Sequence, residues 1–320
     1  MSDLAIAITG CGFIADMHVR AVRASGLGRV VGVANHRLER AQSFAEHHGI
    51  ARATADWQTL VTDPDIDAVV IATPNSLHAP QALAALGAGK AVLVDKPMAL
   101  TVAEGEAMVA AASAAGVELL VGHMWRYRDE VRALRARVAH GELGRIVRTH
   151  GYGVHAGWGP SGWFTDPLLA GGGALIDMGI HAIDTVRYLL GDPEPVRVRA
   201  SLGTSFGDYE VDDDGLVLVD WSDGTRSTIE SGWWAPRLGG LEADTELYGT
   251  GGYARIWPGT PPPGYEHCSL PMYAAQMDDF LRRVGPADHV PPEGAPDRRT
   301  GLVALHVVER AYASARESGR

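Results

Sequence analysis

Five short runs in the first 123 residues are apolar almost without interruption: LAIAIT (4–9), VVGVA (30–34), AVVIAT (68–73), AVLV (91–94) and ELLVG (118–122). A strand without polar alternation has no face to give to water, so it must be covered on both sides, as strands of a parallel sheet are. Between these runs, residues 14–25, 37–48, 76–88 and 101–115 carry apolar positions at helical spacing. Pro97 and Thr101 supply start signals, and Gly49, Gly89 and Gly116 supply stops. Strand and helix in strict alternation leave few topologies, and the simplest is a doubly wound parallel sheet with helices on both faces.

The pattern changes after a helix predicted over 128–140. RIVRTHGYGV (145–154), VRVRASLG (196–203), GLVLVDW (215–221), TRSTIESGWW (225–234) and EADTELYG (242–249) alternate polar with apolar, and Asp223-Gly224 is a hairpin signal. These segments predict a mainly antiparallel sheet. Helices are expected over 174–190, near 270–285 and over 297–317. At roughly 100 to 200 residues per domain, 320 residues make two domains, set at 1–123 and 124–320.

Composition narrows the function classes. The net charge of −11 gives no phosphate-seeking surface, so nucleic acid is set aside as a partner. Cys11 and Cys268 are the only cysteines, too few for a disulfide framework or a cysteine metal cluster. The opening MSDLAIAITGCG has no cationic leader and no run approaches membrane-spanning length, so a soluble, cytoplasmic protein without a membrane partner is expected.

GCGFIA (10–15) stands at the first strand-to-helix junction, which gives this spacing its meaning. Gly10 allows a tight turn, Gly12 allows backbone to approach a pyrophosphate, and Phe13, Ile14 and small Ala15 begin the helix whose N-terminus faces the anion. Dinucleotide binding is the expectation. An acidic residue at the end of the second strand would hold the ribose hydroxyls of NAD; this chain has Asn35, then His36, Arg37 and Arg40. Asn35 reads as a helix N-cap. Cations in a first turn oppose the helix dipole unless an anion offsets them, which favours the 2′-phosphate of NADP(H), with NAD(H) as the accepted alternative. Solvated arginines are the competing reading, and Glu39 in the same turn supports it.

Of 28 basic residues only Lys90 and Lys96 are lysine. Where a generic cation suffices this chain uses arginine, so a retained lysine points to chemistry arginine cannot perform. Lys90, in AlaGlyLys, reads as a solvated turn residue. Lys96, closing the fifth strand in AspLysPro, reads as a group that holds a substrate oxygen or moves a proton. Thr73, Pro74 and Asn75 close the fourth strand, with Asn75 either facing a nicotinamide or capping the next helix. His78, one turn on, is either packed or part of the site. Asp177, His181 and Asp184 fall at i, i+4 and i+7 and would share a helix face, where a carboxylate can fix an imidazole as a base. A metal site is the rival, but two ligands leave it incomplete, and none is expected. Asp184 reads as structural.

GCGFIA, ATPNSLH, VDKP and GGGALIDMGIHAID, with ELGRIV between and ERAYASARESG closing, resemble the glucose-fructose oxidoreductase, inositol dehydrogenase and rhizopine-catabolism family, Gfo/Idh/MocA. The resemblance runs over nearly the whole chain. It implies an N-terminal Rossmann domain and a C-terminal α/β domain with an open, predominantly antiparallel sheet that binds substrate and forms a homodimer or homotetramer. It implies nicotinamide-dependent oxidation of a ring hydroxyl, or ketone reduction, on a sugar or cyclitol. Lys96 matches the family lysine, with Asp95 where glutamate is usual, and Asp177 and His181 match its aspartate and histidine. Arg126 matches a position near the cofactor, with Trp125 beside it as cofactor neighbour or packing. On this reading His181 accepts the hydroxyl proton, Asp177 steadies the imidazolium, and Lys96 holds the oxygen, with the proton assignment between Lys96 and His181 open. His155, Trp158 and Trp163 are candidates to line a sugar pocket, since ring C–H faces stack on aromatics; a packed Gly/Trp loop is the alternative. A reductase of a non-carbohydrate carbonyl or imine, and a non-catalytic NADP-binding regulator, stay open beside this reading.

Overall fold

The computed structural model describes residues 3–155, 160–233, 243–257, 268–285 and 289–317. Its first eleven elements are β1 (Leu4–Thr9), α1 (Phe13–Ser25), β2 (Gly28–Ala34), α2 (Leu38–His48), β3 (Arg52–Thr54), α3 (Trp57–Val61), β4 (Ala68–Ile71), α4 (His78–Gly87), β5 (Ala91–Val94), α5 (Val102–Ala115) and β6 (Leu119–Val121). Then follow α6 (Asp129–Ala139), β7 (Ile146–Val154), α7 (Pro167–Ala170), α8 (Ile180–Leu189), β8 (Pro195–Gly203), β9 (Asp214–Trp221), β10 (Arg226–Gly232), β11 (Asp244–Gly249), β12 (Tyr253–Arg255), α9 (Leu270–Val284) and α10 (Thr300–Glu317).

The first sheet is parallel throughout and runs β3-β2-β1-β4-β5-β6. Its central strands are the uninterrupted apolar runs, and Ile6, Ile8, Val69, Val70, Val92 and Leu93 are wholly buried. The strand order reverses between β1 and β4, so their carboxyl ends diverge into a crevice where ligands of open α/β sheets bind. The short β3 and α3 have too few residues to show a period in the sequence. Lys90, expected to be solvated, is buried and donates to the Pro64 carbonyl at 3.3 Å.

The second sheet runs β12-β11-β7-β10-β9-β8. It is predominantly antiparallel; β7 and β10 are its parallel pair, in register from Arg148↔Arg226 to Val154↔Gly232. Asp223-Gly224 turns β9 into β10, with Gly224 at φ +85°. One face of this sheet is covered: Val217, Val219, Trp221 and Ile229 pack with Ile180, Ile183 and Val186 of α8 and with Val307 and Val308 of α10. The other face leaves Leu216 and Leu218 about half exposed.

Contacts divide the chain into two compact units, Met1–Met124 with Cys268–Arg299, and Trp125–His267 with Thr300–Arg320. The second unit thus differs from the expected 124–320, because α9 returns to the first. Its apolar face, with Met272, Tyr273, Met277 and Phe280 buried, packs on α1, where the His18 and Tyr273 rings meet edge to face at 5.4 Å. Arg283 of α9 adds an ion pair to Glu118 at 3.2 Å.

Candidate active site

In the first unit the site is built on strand ends. After β1 the backbone turns at Gly10, whose φ is +104°. A Cβ there would overlap the Ala72 carbonyl at the end of β4, so only glycine lets the two strand ends come so close. Gly12 is the N-cap of α1, and no described side chain caps that helix. A Cβ built on Gly12 meets nothing within 4 Å, so the first-turn amides of a 13-residue helix face open space. Those amides and the helix dipole suit an anion, and Ala15, wholly buried, brings the helix close to the sheet. Phe13 is exposed and Ile14 half-buried. The cradle fits a dinucleotide pyrophosphate. Burial pushes the Cys11 thiol up to about 11 against the opposing charge of Arg40, so the loop cysteine is no nucleophile at neutral pH.

At the end of β2 the structure corrects one expectation. Asn35 is not the cap of α2; Arg37 is, and the Asn35 Oδ1 accepts the Arg37 amide at 3.0 Å in an Asx turn. His36, Arg37 and Arg40 are exposed beside this strand end, with Arg40 and Glu39 in the first helical turn.

The ends of β4 and β5 are tied together. Gln81 accepts from the hydroxyls of Thr9 at 2.6 Å and Thr73 at 3.2 Å. Pro74 precedes a short 3-10 turn opened by buried Asn75, so α4 starts at His78 rather than 76. His78, expected beside the cofactor or packed, is packed: its Nδ1 lies 2.7 Å from the Pro97 carbonyl and its Nε2 2.9 Å from that of Thr73. Each ring nitrogen faces a carbonyl oxygen, and the neutral ring donates to one of the two, so His78 braces the two loops from inside. Burial lowers its pKa, and the charge of Lys96 adds to this. Lys96 itself is half-buried at the end of β5, before a cis Pro97, with its amide donating to Asp95 Oδ1 at 3.2 Å. Gly10–Gly12, Asn35, Thr73–Asn75 and Lys96 therefore lie at the carboxyl ends of β1, β2, β4 and β5.

In the second unit, the segment that carries Asp177 is a wider π-type turn, Leu175–Gly179, which runs into α8. Asp177 and His181 thus straddle a junction between two helical pitches instead of lying one regular turn apart. The carboxylate of Asp212 anchors the start of this turn, accepting from the amides of Gly173 and Leu175, each at 2.8 Å, and from the Tyr312 hydroxyl at 2.7 Å. A Cβ on Gly153 of β7 would come within 2.5 Å of the Met178 carbonyl, so glycine in that strand permits the turn's approach to the sheet. Asp177 and His181 are both buried. Asp177 Oδ2 accepts the indole N–H of Trp233 at 3.0 Å. Sequence reasoning missed Trp233; the available signal was that a tryptophan closing a strand brings an N–H that needs an acceptor once buried.

Arg126, expected near the cofactor, is a buried cation of the second unit. Its Nε bonds both oxygens of Asp184, at 3.0 and 2.8 Å, and its Nη2 reaches Asp184 at 2.8 Å and Asp192 at 2.7 Å. Asp184 and Trp125 are buried as well. His155 follows β7 and donates its amide to Gly232 at 2.9 Å, next to Trp233. Trp163 lies in a 3-10 turn, Gly162–Thr165, stacked on Phe164 at 3.9 Å. Trp158 lies outside the described residues. A second group, Asp16, His47 and His48, brings ligand-type atoms within 4.8 Å. Its charges are already met: Asp16 pairs with His48 at 3.2 Å and Arg20 at 3.7 Å, and Arg23 donates to the His48 carbonyl.

Residues 4–123 match an oxidoreductase family with an NAD-binding Rossmann fold, and residues 131–255 match the Gfo/Idh/MocA C-terminal domain. The chain is 35% identical over 237 residues to 1,5-anhydro-D-fructose reductase of Ensifer adhaerens, covering 73% of this chain and 69% of that protein. The chain belongs to the Gfo/Idh/MocA oxidoreductase family. Another relative, the rhizopine catabolism protein MocA of Rhizobium meliloti, is 29% identical over 317 residues, covering 97% of this chain and 95% of the relative. Among solved structures, levoglucosan dehydrogenase in complex with NADH and levoglucosan is similar with a TM-score of 0.85 at 25% identity, over 99% of this chain and 98% of that one. Membership makes the chain an oxidoreductase, and the Gfo/Idh/MocA fold accounts for both sheets. No described helix is long and apolar enough to cross a membrane.

Proposed function

We propose that the protein is a dehydrogenase or reductase that interconverts a ring hydroxyl and ketone on a sugar or cyclitol, with NADP(H) as preferred cofactor and NAD(H) accepted. The observation that carries this reading is the placement of the Gly10–Gly12 cradle, Thr73–Asn75 and Lys96 at the carboxyl ends of β1, β4 and β5, astride the reversal of strand order. The named relatives, a 1,5-anhydro-D-fructose reductase and a levoglucosan dehydrogenase, support a sugar as substrate. Exposed Arg37 and Arg40 at the end of β2, where an acidic residue would otherwise hold a ribose, support a 2′-phosphate. The NADH of the similar solved structure is what supports acceptance of NAD(H).

A bound nicotinamide would supply the two-electron chemistry, as hydride acceptor for oxidation and hydride donor for reduction. Lys96 donates a hydrogen bond to the reacting oxygen and holds it. His181 takes the hydroxyl proton in oxidation and returns it in reduction, and Asp177 stabilises the imidazolium formed in between. His155 and Trp163 line the sugar. The outer face of the second sheet, with Leu216, Leu218 and Tyr253 exposed, supports a homodimer or homotetramer formed through it. Two cysteines in 320 residues suit a cytoplasmic enzyme.

Absorbance of reduced nicotinamide, followed in both directions with NADP and NAD against aldoses, ketosugars and inositols, tests the reading. Lys96→Met is expected to lower turnover by about 100-fold or more while cofactor binding persists. Arg37→Ala with Arg40→Ala is expected to weaken NADPH binding and to leave NADH binding unchanged. Cofactor binding with no turnover across the panel would make the protein a regulator or an enzyme of another carbonyl.

A further inference from the structure

Trp233 closes β10, and its backbone amide donates to the Asp213 carbonyl at 2.9 Å. Its ring is wholly buried in a small apolar cluster with Ala174, Met178 and Val211, edge-on to Tyr209 at 6.0 Å and 81°. The Tyr209 hydroxyl in turn donates to Asp213 Oδ2 at 3.0 Å, and that carboxylate also takes the amides of Ser205, Phe206 and Gly207. The indole is thus wholly buried, and its single polar atom donates to Asp177 Oδ2, 3.0 Å away.

We propose that Trp233 is a positioning residue whose indole N–H fixes the Asp177 carboxylate, and through it the orientation of His181. The proposal rests on the reading that Asp177 and His181 move the substrate proton. The carboxylate stands on a π-type turn, Leu175–Gly179, a local departure from the regular helix of the kind found at functional sites. An indole is a donor only and cannot titrate, so it holds one oxygen without adding charge or competing for the proton.

Trp233→Phe removes the N–H and keeps most of the apolar contact. The expected result is a fall in kcat of about tenfold to a hundredfold, with the substrate KM and the NAD(H) dissociation constant within about twofold of the parent. In an Asp177→Asn background the same change should cost almost nothing further, as expected of two groups acting through one contact. The Trp233 indole proton resonance, assigned in the parent protein by its through-space contacts to Tyr209 and Met178, should move when Asp177→Asn is made in the otherwise intact protein. That measurement decides the matter even where Trp233→Phe does not fold, and an unmoved resonance overturns the proposal. Unchanged kcat in Trp233→Phe, with Asp177→Asn strongly impaired, also overturns it and leaves Trp233 a packing residue. Full turnover in Asp177→Asn instead overturns the underlying role of Asp177.

Discussion

Gly10 and Gly12 are two residues apart and answer to different constraints, which makes them separable by experiment. At Gly10 the obstacle to a side chain is the Ala72 backbone, and φ is +104°; neither can relax as a flexible side chain would. Gly10→Ala is therefore expected to destabilise the first unit by at least about 2 kcal/mol. Gly12 has φ −94° and open space around its missing Cβ, so Gly12→Ala should leave the melting temperature unchanged. Its methyl group would occupy the volume a pyrophosphate needs, and the NAD(H) dissociation constant should rise at least about tenfold. Thermal melts with fluorescence titration of both variants check the pair; equal loss of stability in the two would refute the division. This motif was legible in the sequence because its meaning is local, a strand, a turn and a helix within a dozen residues. Arg126 and His78 were not, because what decides their roles is the Asp184 carboxylate and the Pro97 carbonyl, which lie far along the chain or inside a turn that no periodicity announces.

Elements were legible where a period had room to repeat. The buried strands of the first sheet showed as apolar runs and those of the second as alternation, but alternation reports which face is buried and says nothing of direction, so the parallel pairing of β7 with β10 did not show. The π-type turn at Leu175–Gly179 was equally hidden, since one more residue per turn barely disturbs an apolar pattern. What holds that turn is visible in the structure: the Asp212 carboxylate, with Tyr312 beside it, caps it from another segment. Burial raises the Asp212 pKa, opposed by the hydrogen bonds it accepts. Asp212→Ala takes the acceptor from the Leu175 amide and the Tyr312 hydroxyl, at about 1–3 kcal/mol each, while the Gly173 amide keeps the Tyr312 hydroxyl at 3.2 Å, so a loss of about 2–5 kcal/mol is expected. Urea denaturation should show a lower midpoint with an unchanged slope, and Asp212→Asn, with one acceptor left, should recover part of the loss. A midpoint unaffected by Asp212→Ala would mean the turn is held by its packing alone.

At the scale of the molecule, the first unit is completed by a helix that begins at Leu270, long after its last strand ends at Val121, and the junction it makes carries a consequence for acid stability. His18 of α1 is wholly buried under α9, edge-on to Tyr273, and neither ring nitrogen has a hydrogen-bond partner among the described residues. Burial lowers its pKa from 6.5 to about 4. Because the folded value lies below the unfolded one, the unfolded chain binds the proton more readily, and stability falls as pH drops from about 6.5 towards 4. The contribution lost amounts to about 2 kcal/mol by pH 5 and about 3 kcal/mol at pH 4; above pH 6.5 it is constant. His48 and buried His78 are shifted in the same direction, so they share the acid slope. His18→Leu replaces two unsatisfied nitrogens with apolar atoms of similar volume and is expected to be neutral or mildly stabilising at pH 7.5. At pH 5 it should exceed the parent by about 2 kcal/mol more than it does at pH 7.5. Denaturation of both proteins at pH 7.5, 6 and 5 gives the two slopes, and parallel slopes would show that the proton enters elsewhere.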